Sequence, residues 1–281
     1  MLRLRSIVHP TDFSDASAQA FVHALRIALN AKCALTLVHV GTGGETAEWT
    51  AFPHIRVALA GWGLAKETDT PATVAKKLGV KIAKVELEAQ SAVGGVLNFL
   101  DEHPADLMVL TTEGRDGVAR WLRGSTAEKL ARHAKTPTLF VPANARGFVD
   151  PLRGEVHLKR VLIPVDREPA PAAAVNTIMG FAQLLAGIDT QYHLVEERLL
   201  HVGGNPPELQ HHRAPHRPAA VALRKGDVVA AILDAATDWP PDLIGMATAG
   251  HHGFLDALRG STTERVLRRS PCPLLAVPAG A

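Results

Sequence analysis

Two rhythms of apolar and polar positions alternate along the chain. Short apolar runs stop at Pro, Gly or charged residues, and between them lie stretches where apolar residues return every three or four positions. Ser6 to His9 is such a run, closed by Pro10, and predicts a strand ending in a turn. Ser14 then precedes a stretch in which Phe21, Ala24, Leu25 and Ala28 share one helical face. Ala34 to Val40 predicts a second strand. Helical stretches follow over His54–Leu64 and Pro71–Leu78, then an alternating third strand over Lys81–Leu87 and a helix over Val93–Leu100. Leu107 to Leu110 is apolar throughout, as a strand covered on both faces should be. A glycine-containing loop, a helix over 125–133 and a last strand, Thr138–Val141, complete this set.

The order then repeats. Arg160 to Asp166 parallels Ser6 to Asp12, Tyr192–Val195 reads as the second strand and Ala219–Leu223 as the third. Val228–Leu233 reads as a helix, and Leu243–Met246 and Leu274–Val277 as the last two strands. From Thr112 onward the two halves align without a gap, with about half the positions identical. The period exceeds a hundred residues, so it marks two domains and not a solenoid. Strand alternating with helix implies right-handed crossovers and parallel sheets. The expected fold class is α/β, with two tandem doubly wound, Rossmann-like, five-stranded domains over residues 1–145 and 156–281. The boundary falls in Asn144–Glu155, rich in Gly, Pro and Arg. The second domain is shorter and carries a Pro- and His-rich loop from His201 to Pro218.

Composition narrows the function. The formal net charge is +2, too small for a protein whose main partner is nucleic acid. Two cysteines build no disulfide framework and fit a reducing compartment. No apolar run approaches a membrane span, and the N-terminus enters a strand directly, so the expectation is a soluble cytoplasmic protein without a membrane partner. The 14 histidines include the cluster His211, His212 and His216, which reads as a set of solvated loop residues and not as a metal site. There is no Gly-x-Ser-x-Gly elbow, no His-Glu-x-x-His pair and no Walker lysine, so hydrolysis of a nucleotide would be slow at most and no catalytic residue is assigned.

Two motifs recur in both halves. Gly114, Gly117, Gly124, Ser125 and Thr126 reappear as Gly250, Gly253, Gly260, Ser261 and Thr262. A helix N-terminus reached through glycines suits a phosphate, while Ser125-x-x-Glu128 and Ser261-x-x-Glu264 also read as capping boxes, which stabilise helices that bind nothing. Pro10-Thr11-Asp12 recurs as Pro164-Val165-Asp166, an Asp just past the first strand at the carboxyl edge of the sheet. That Asp either hydrogen-bonds a ligand or forms an Asx turn into the helix.

Ile-Val-x-Pro-Thr-Asp-Phe-Ser near the start, Leu-x-Leu-Val-His-Val at strand two, Asp-Leu-Met-Val-Leu at strand four, the glycine loop, and the closing Pro-x-Leu-x-Val-Pro resemble the universal stress protein family over nearly the whole chain. The resemblance implies a tandem member that binds ATP or another adenine nucleotide, with or without Mg, as a stress-response sensor or switch. Pro10, Thr11, Asp12 and Val38 would meet adenine and ribose, and Gly114, Gly117, Gly124, Ser125 and Thr126 the phosphates. Pro164, Val165, Asp166, Gly250, Gly253, Gly260, Ser261 and Thr262 would do so in the second half. The ATP-binding pattern of that family has nine residues between its second and third glycines. Six separate Gly117 from Gly124 and Gly253 from Gly260, which reads as a shortened loop. The alternative function is an interaction or assembly protein that keeps the fold without a nucleotide. In the family the last strand mediates dimerisation, and Pro137–Val141 and Pro273–Val277 are apolar edges. The two halves are therefore expected to pair there as an intramolecular pseudo-dimer. A homodimer of whole chains is left open. Trp49 and Trp62, in the long insert from Gly41 to Pro71, are candidates to cover the first pocket or form an interface.

Overall fold

The computed structural model describes residues 2–41, 52–112, 136–143, 145–186, 195–211, 214–248 and 262–279. The first half runs β1 (Ser6–Pro10), α1 (Asp15–Ala31), β2 (Ala34–Gly41), α2 (Ile55–Gly61), α3 (Pro71–Leu78), β3 (Lys81–Glu88), α4 (Ala92–Glu102), β4 (Leu107–Thr112) and β5 (Thr138–Pro142). The second half runs β6 (Arg160–Pro164), α5 (Pro171–Ala186), β7 (Glu196–Val202), β8 (Gln210–His211), β9 (Ala214–Pro218), β10 (Val221–Arg224), α6 (Val228–Asp238), β11 (Leu243–Thr248), α7 (Thr262–Leu267) and β12 (Leu274–Pro278).

Ten strands form one sheet in the order β10-β7-β6-β11-β12-β5-β4-β1-β2-β3. Each half contributes five strands, parallel among themselves in the doubly wound order 3-2-1-4-5. The halves meet through β5 and β12, which run antiparallel with Leu139 opposite Leu275, Phe140 opposite Leu274 and Thr138 opposite Ala276. These positions correspond in the repeat, so a local two-fold axis passes between Leu139 and Leu275. Both leucines are fully buried. The apolar closing strands thus cover one another and remove two edges that water would otherwise face.

Alternation along the strands feeds two cores. Ile7, Leu35, Leu37, Val109 and Leu139 point to the face covered by α1 and α5. Val8, Val38, Met108, Leu110 and Phe140 point to the face covered by α4 and α6. Helix α1 has its predicted stripe: Phe21, Ala24, Leu25 and Ala28 are all buried. Its Ser14 cap accepts from the Ser17 amide, and Lys32 ends it in the left-handed conformation. Across the junction, the Asn30 side-chain amide donates to the carbonyls of Leu184 and Leu185 at the end of α5. Among the described residues no helix is long and apolar enough to cross a membrane.

Two expectations for the second half need correction. The second strand is Glu196–Val202, not Tyr192–Val195. Its register sets Pro164 opposite Leu200, as Pro10 stands opposite Val38, so Leu-Leu-His-Val is the true counterpart of Leu-Val-His-Val. The charged start of β7 conceals it. Glu196 and Arg198 lie towards the margin, where Arg198 and Arg160 stack on Trp239 at 4.3 and 5.5 Å. The third strand begins at Val221, two residues later than expected.

The boundary segment is docked and not free. Phe148 and Val149 are buried, and Val149 bridges Val156 in an antiparallel turn. The Phe148 amide donates to His23 Nε2 at 3.1 Å, while His23 Nδ1–H donates to the Gln19 carbonyl at 2.9 Å. Burial lowers the His23 pKa to about 4, so the ring is neutral, as an imidazole that accepts through Nε2 must be. Trp62 also serves this segment. Its indole N–H donates to Pro151 O at 3.0 Å and its ring lies against Gly154. Trp62 therefore holds the connection between the halves; Trp49 lies outside the described residues.

Candidate functional site

In the strand order of the first half, β2 and β4 flank β1, and chain connections leave it in opposite directions. The crevice beyond the carboxyl ends of these strands is where such sheets place ligands. Proline decides where β1 ends: Pro10 has no N–H to continue the ladder. The next residue, Thr11, donates its amide to Val38 O at 2.8 Å and the chain turns. Thr11 Oγ1 accepts from the Phe13 amide at 3.2 Å and from Ser17 Oγ at 2.9 Å. Phe13 sits at φ 63°, a left-handed conformation that a bulky side chain holds only with support. That support comes from stacking on His39, with ring centroids 4.1 Å apart, and from an edge contact with buried Phe52 at 5.1 Å.

Asp12 is exposed. Its Oδ1 accepts from the Ser14 amide at 3.1 Å and from Ser14 Oγ at 2.6 Å. The Asx turn into α1 is therefore real. Among the described residues Oδ2 has no partner, so the same carboxylate has one oxygen left for a ligand. Pro10 and Thr11 are buried beneath it.

His39 is the residue that sequence reasoning missed. Its Nδ1–H donates to the Thr11 carbonyl at 2.8 Å and clamps the loop that carries Asp12. His201 does the same in the second half, donating to the Val165 carbonyl at 3.1 Å, with Val165 N on Leu200 O at 2.8 Å. The recurrence of Val-His-Val and Leu-His-Val at the end of the strand that pairs with each Pro-x-Asp strand was the available signal, 28 residues past Thr11 and 36 past Val165. Below the loop lies His9, fully buried, donating from Nδ1 to Val109 O at 2.9 Å, with Nε2 3.4 Å from Ser17 Oγ. Burial lowers its pKa to about 4. Ile163 stands at the corresponding place in β6, so this polar underlay belongs to the first half alone.

Val38 is already committed: its carbonyl bonds Thr11 and its side chain is in the core. Strand β2, however, outruns β1. The β1 pairing stops at Pro10 opposite Val38, whereas β2 pairs with β3 as far as Gly41 opposite Glu88. Carbonyls two residues apart on a strand point the same way. The backbone of Val40 therefore faces the space beyond Pro10, where among the described residues no strand meets it. On the other side of that space, Thr112 ends β4, and among the described residues its buried hydroxyl has no hydrogen-bond partner. Its counterpart, Thr248, reaches Val277 O at 3.5 Å. A buried orphan hydroxyl is unusual enough to mark the spot.

In the second half, Pro164 ends β6, Val165 is buried and Asp166 is exposed. Asp166 Oδ1 accepts from the Arg167 amide at 2.8 Å and lies 3.8 Å from His201 Nδ1. Thr262 opens α7, where Glu264 is buried and paired with Arg268. Gly114, Gly117, Gly124, Ser125, Thr126, Gly250, Gly253, Gly260 and Ser261 lie outside the described residues. The strand ends nevertheless change how their spacing is counted. Strands β4 and β11 stop at Thr112 and Thr248, so Gly114 and Gly250 are the second residues past a strand. Nine residues separate each from Gly124 and Gly260. Counted from Gly114 and Gly250, the spacing also admits an alignment with nine intervening residues and no glycine three positions earlier. That position falls on Thr111, which bonds Val141 O at 3.3 Å, and on Ala247. Among the described residues no group of His, Cys, Asp and Glu is placed to hold a metal ion.

Comparison with known proteins agrees with this architecture. The profile of the universal stress protein family matches residues 3–142 and 182–278. A universal stress protein of Methanocaldococcus jannaschii is 32% identical over 146 residues, covering 49% of this chain and 81% of the relative. One from Mycobacterium tuberculosis is 29% identical over 150 residues, covering 50% of this chain and 47% of the relative. Among solved structures, a universal stress protein from Archaeoglobus fulgidus shares the fold over 98% of this chain and 96% of its own, with a TM-score of 0.62 at 17% identity. With matches in both halves, joined through their closing strands, the chain belongs to the universal stress protein family.

Proposed function

We propose that the first half binds an adenine nucleotide in the crevice beyond β1, β2 and β4, and that the protein works as a nucleotide-responsive sensor or switch with slow hydrolysis at most. One observation carries the reading. Among the described residues, three polar groups at the ends of β1, β2 and β4 have no hydrogen-bond partner: Asp12 Oδ2, the Val40 backbone on the β1 side and the buried Thr112 hydroxyl. A base with adjacent donor and acceptor edges suits a strand backbone, a ribose hydroxyl suits a carboxylate oxygen, and the glycine run from Gly114 to Gly124 suits phosphates. Slow hydrolysis at most fits the lack, among the described residues, of a His, Cys, Asp and Glu group placed to hold a metal ion. The second half has Arg167-Glu168-Pro169 in place of Phe13-Ser14-Asp15, and its Asp166 lies near His201; it is the weaker candidate.

A second reading, an assembly protein without nucleotide, is favoured by Thr111 and Ala247 standing where the ATP-binding pattern has glycine. Equilibrium dialysis of the nucleotide-stripped protein with ATP, ADP and AMP separates the two. Asp12→Ala should weaken binding about ten-fold or more, the worth of a hydrogen bond to a charged group, while Asp166→Ala leaves it unchanged. Equal binding by wild type and Asp12→Ala would remove Asp12 from the site, and no binding of any of the three would favour the assembly protein.

A further inference from the structure

A second cavity lies elsewhere in the first half, where α2 and α3 cover the amino-terminal part of β3. Its volume is about 400 Å³, within the range of small-molecule pockets. Val80, Ile82 and Lys84 alternate onto the same face of the strand and form its floor; Val74 of α3 and the first turn of α2 form its walls. Ile55, Val57, Val74, Val80 and Ile82 give the lining an aliphatic part beside the charged Arg56, Glu67 and Lys84, and the cavity stands below the register of Lys84 with Leu37, away from the crevice beyond Pro10.

The charges around it are out of balance. Lys84 Nζ sits 5.5 Å from the centroid of the Phe52 ring. Burial disfavours the Lys84 charge, and Arg56, on the first turn of α2, is near enough to disfavour it further. Neither cation has an ion-pair partner among the described residues. His54 also borders the cavity, and Glu67 is the one carboxylate that lines it. Two cations lining one cavity without an ion-pair partner among the described residues repel each other, and an anion between them relieves that.

We infer that this cavity is a binding site for a small aliphatic carboxylate, its head between Arg56 and Lys84 and its chain over Val80, Ile82 and Val74. Two cations opposed by one carboxylate suit a single negative charge better than a polyphosphate. The aliphatic lining suits a hydrocarbon chain better than a nucleobase, which would call for aromatic stacking. The inference does not depend on the nucleotide reading, because it uses none of the same residues.

Calorimetric titration of the full chain with octanoate and decanoate tests it, with octylamine and octanol as charge controls. The expected result is carboxylate binding at least about ten-fold tighter than that of octanol, and none of octylamine. Arg56→Gln and Lys84→Met should each weaken it about ten-fold, Glu67→Gln should strengthen it, and Asp12→Ala should leave it unchanged. Arg56 is exposed, so its variant folds whatever happens to Lys84→Met. No carboxylate binding at millimolar concentration, equal binding of octylamine, or affinity unmoved by Arg56→Gln would each overturn the inference.

Discussion

Gly154 provides a stringent test of how the connection between the halves is seated. Its φ is +67°, and an added Cβ would lie 2.3 Å from Trp62 Cδ2 and 2.7 Å from Cε3. Gly154→Ala therefore carries two separable penalties. The left-handed backbone costs alanine about 1 kcal/mol. The overlap is with a fused ring, whose only escape is to move and lose its hydrogen bond to Pro151. Losing that bond and repacking the ring adds about 2–4 kcal/mol. Gly63 is the internal control: its φ is +70°, but nothing lies within 4 Å of an added Cβ. Gly63→Ala should cost only the conformational share, about 1 kcal/mol. Urea unfolding followed by circular dichroism measures both, and the difference should reach about 2 kcal/mol or more with the slope unchanged. In a Trp62→Ala background the extra cost of Gly154→Ala should vanish, since the clash has gone. If Gly154→Ala is no worse than Gly63→Ala, the connection does not rest on Trp62 and the docked boundary is wrong.

Acid stability should fall in a defined window. Burial holds His9 and His23 neutral, with pKa values of about 4 against an ordinary 6.5. The unfolded chain binds these protons first, so stability is full above pH 6.5 and is lost as pH falls towards 4, by up to about 3 kcal/mol for each histidine. His9→Ile, which copies the second half, should flatten that fall in a pH series of urea midpoints; an unchanged slope would show that His9 does not titrate this way. Gly245→Ala should destabilise by about 1–3 kcal/mol, because its Cβ would lie 2.5 Å from Ile178 Cγ2. Combining it with Ile178→Ala should cost less than the sum of the two, and strict additivity would argue against the contact. His39→Ala removes the clamp on the Thr11 carbonyl and should weaken adenine nucleotide binding about ten-fold. His201→Ala should leave it intact, and the reverse ranking would move the site to the second half.

Much of the fold was legible because its cores are fed by short apolar runs. Leu107–Leu110 and Leu274–Val277 can only be buried strands, and Phe21, Ala24, Leu25 and Ala28 mark one face of α1. Helix α5 was not legible. Val175, Ile178, Met179, Gly180, Phe181 and Ala182 are buried around much of its circumference, so no polar stripe announces it. Strand β7 was misplaced because Glu196 and Arg198 occupy its start, and only the partner strand shows that Leu199 and Leu200 are the inward pair. In the site, Pro10-Thr11-Asp12 stood out by recurrence. His39 did not, because a histidine in a strand reads as core until its partner, 28 residues away, is known.

The central claim is one nucleotide site, in the first half. Calorimetric titration of the nucleotide-stripped full chain with ATP tests it most directly through the stoichiometry, with Gly114→Ala and Gly250→Ala measured alongside. The account predicts one ATP per chain, weakened by Gly114→Ala and untouched by Gly250→Ala. Two equal sites, or a single site weakened only by Gly250→Ala, would contradict it.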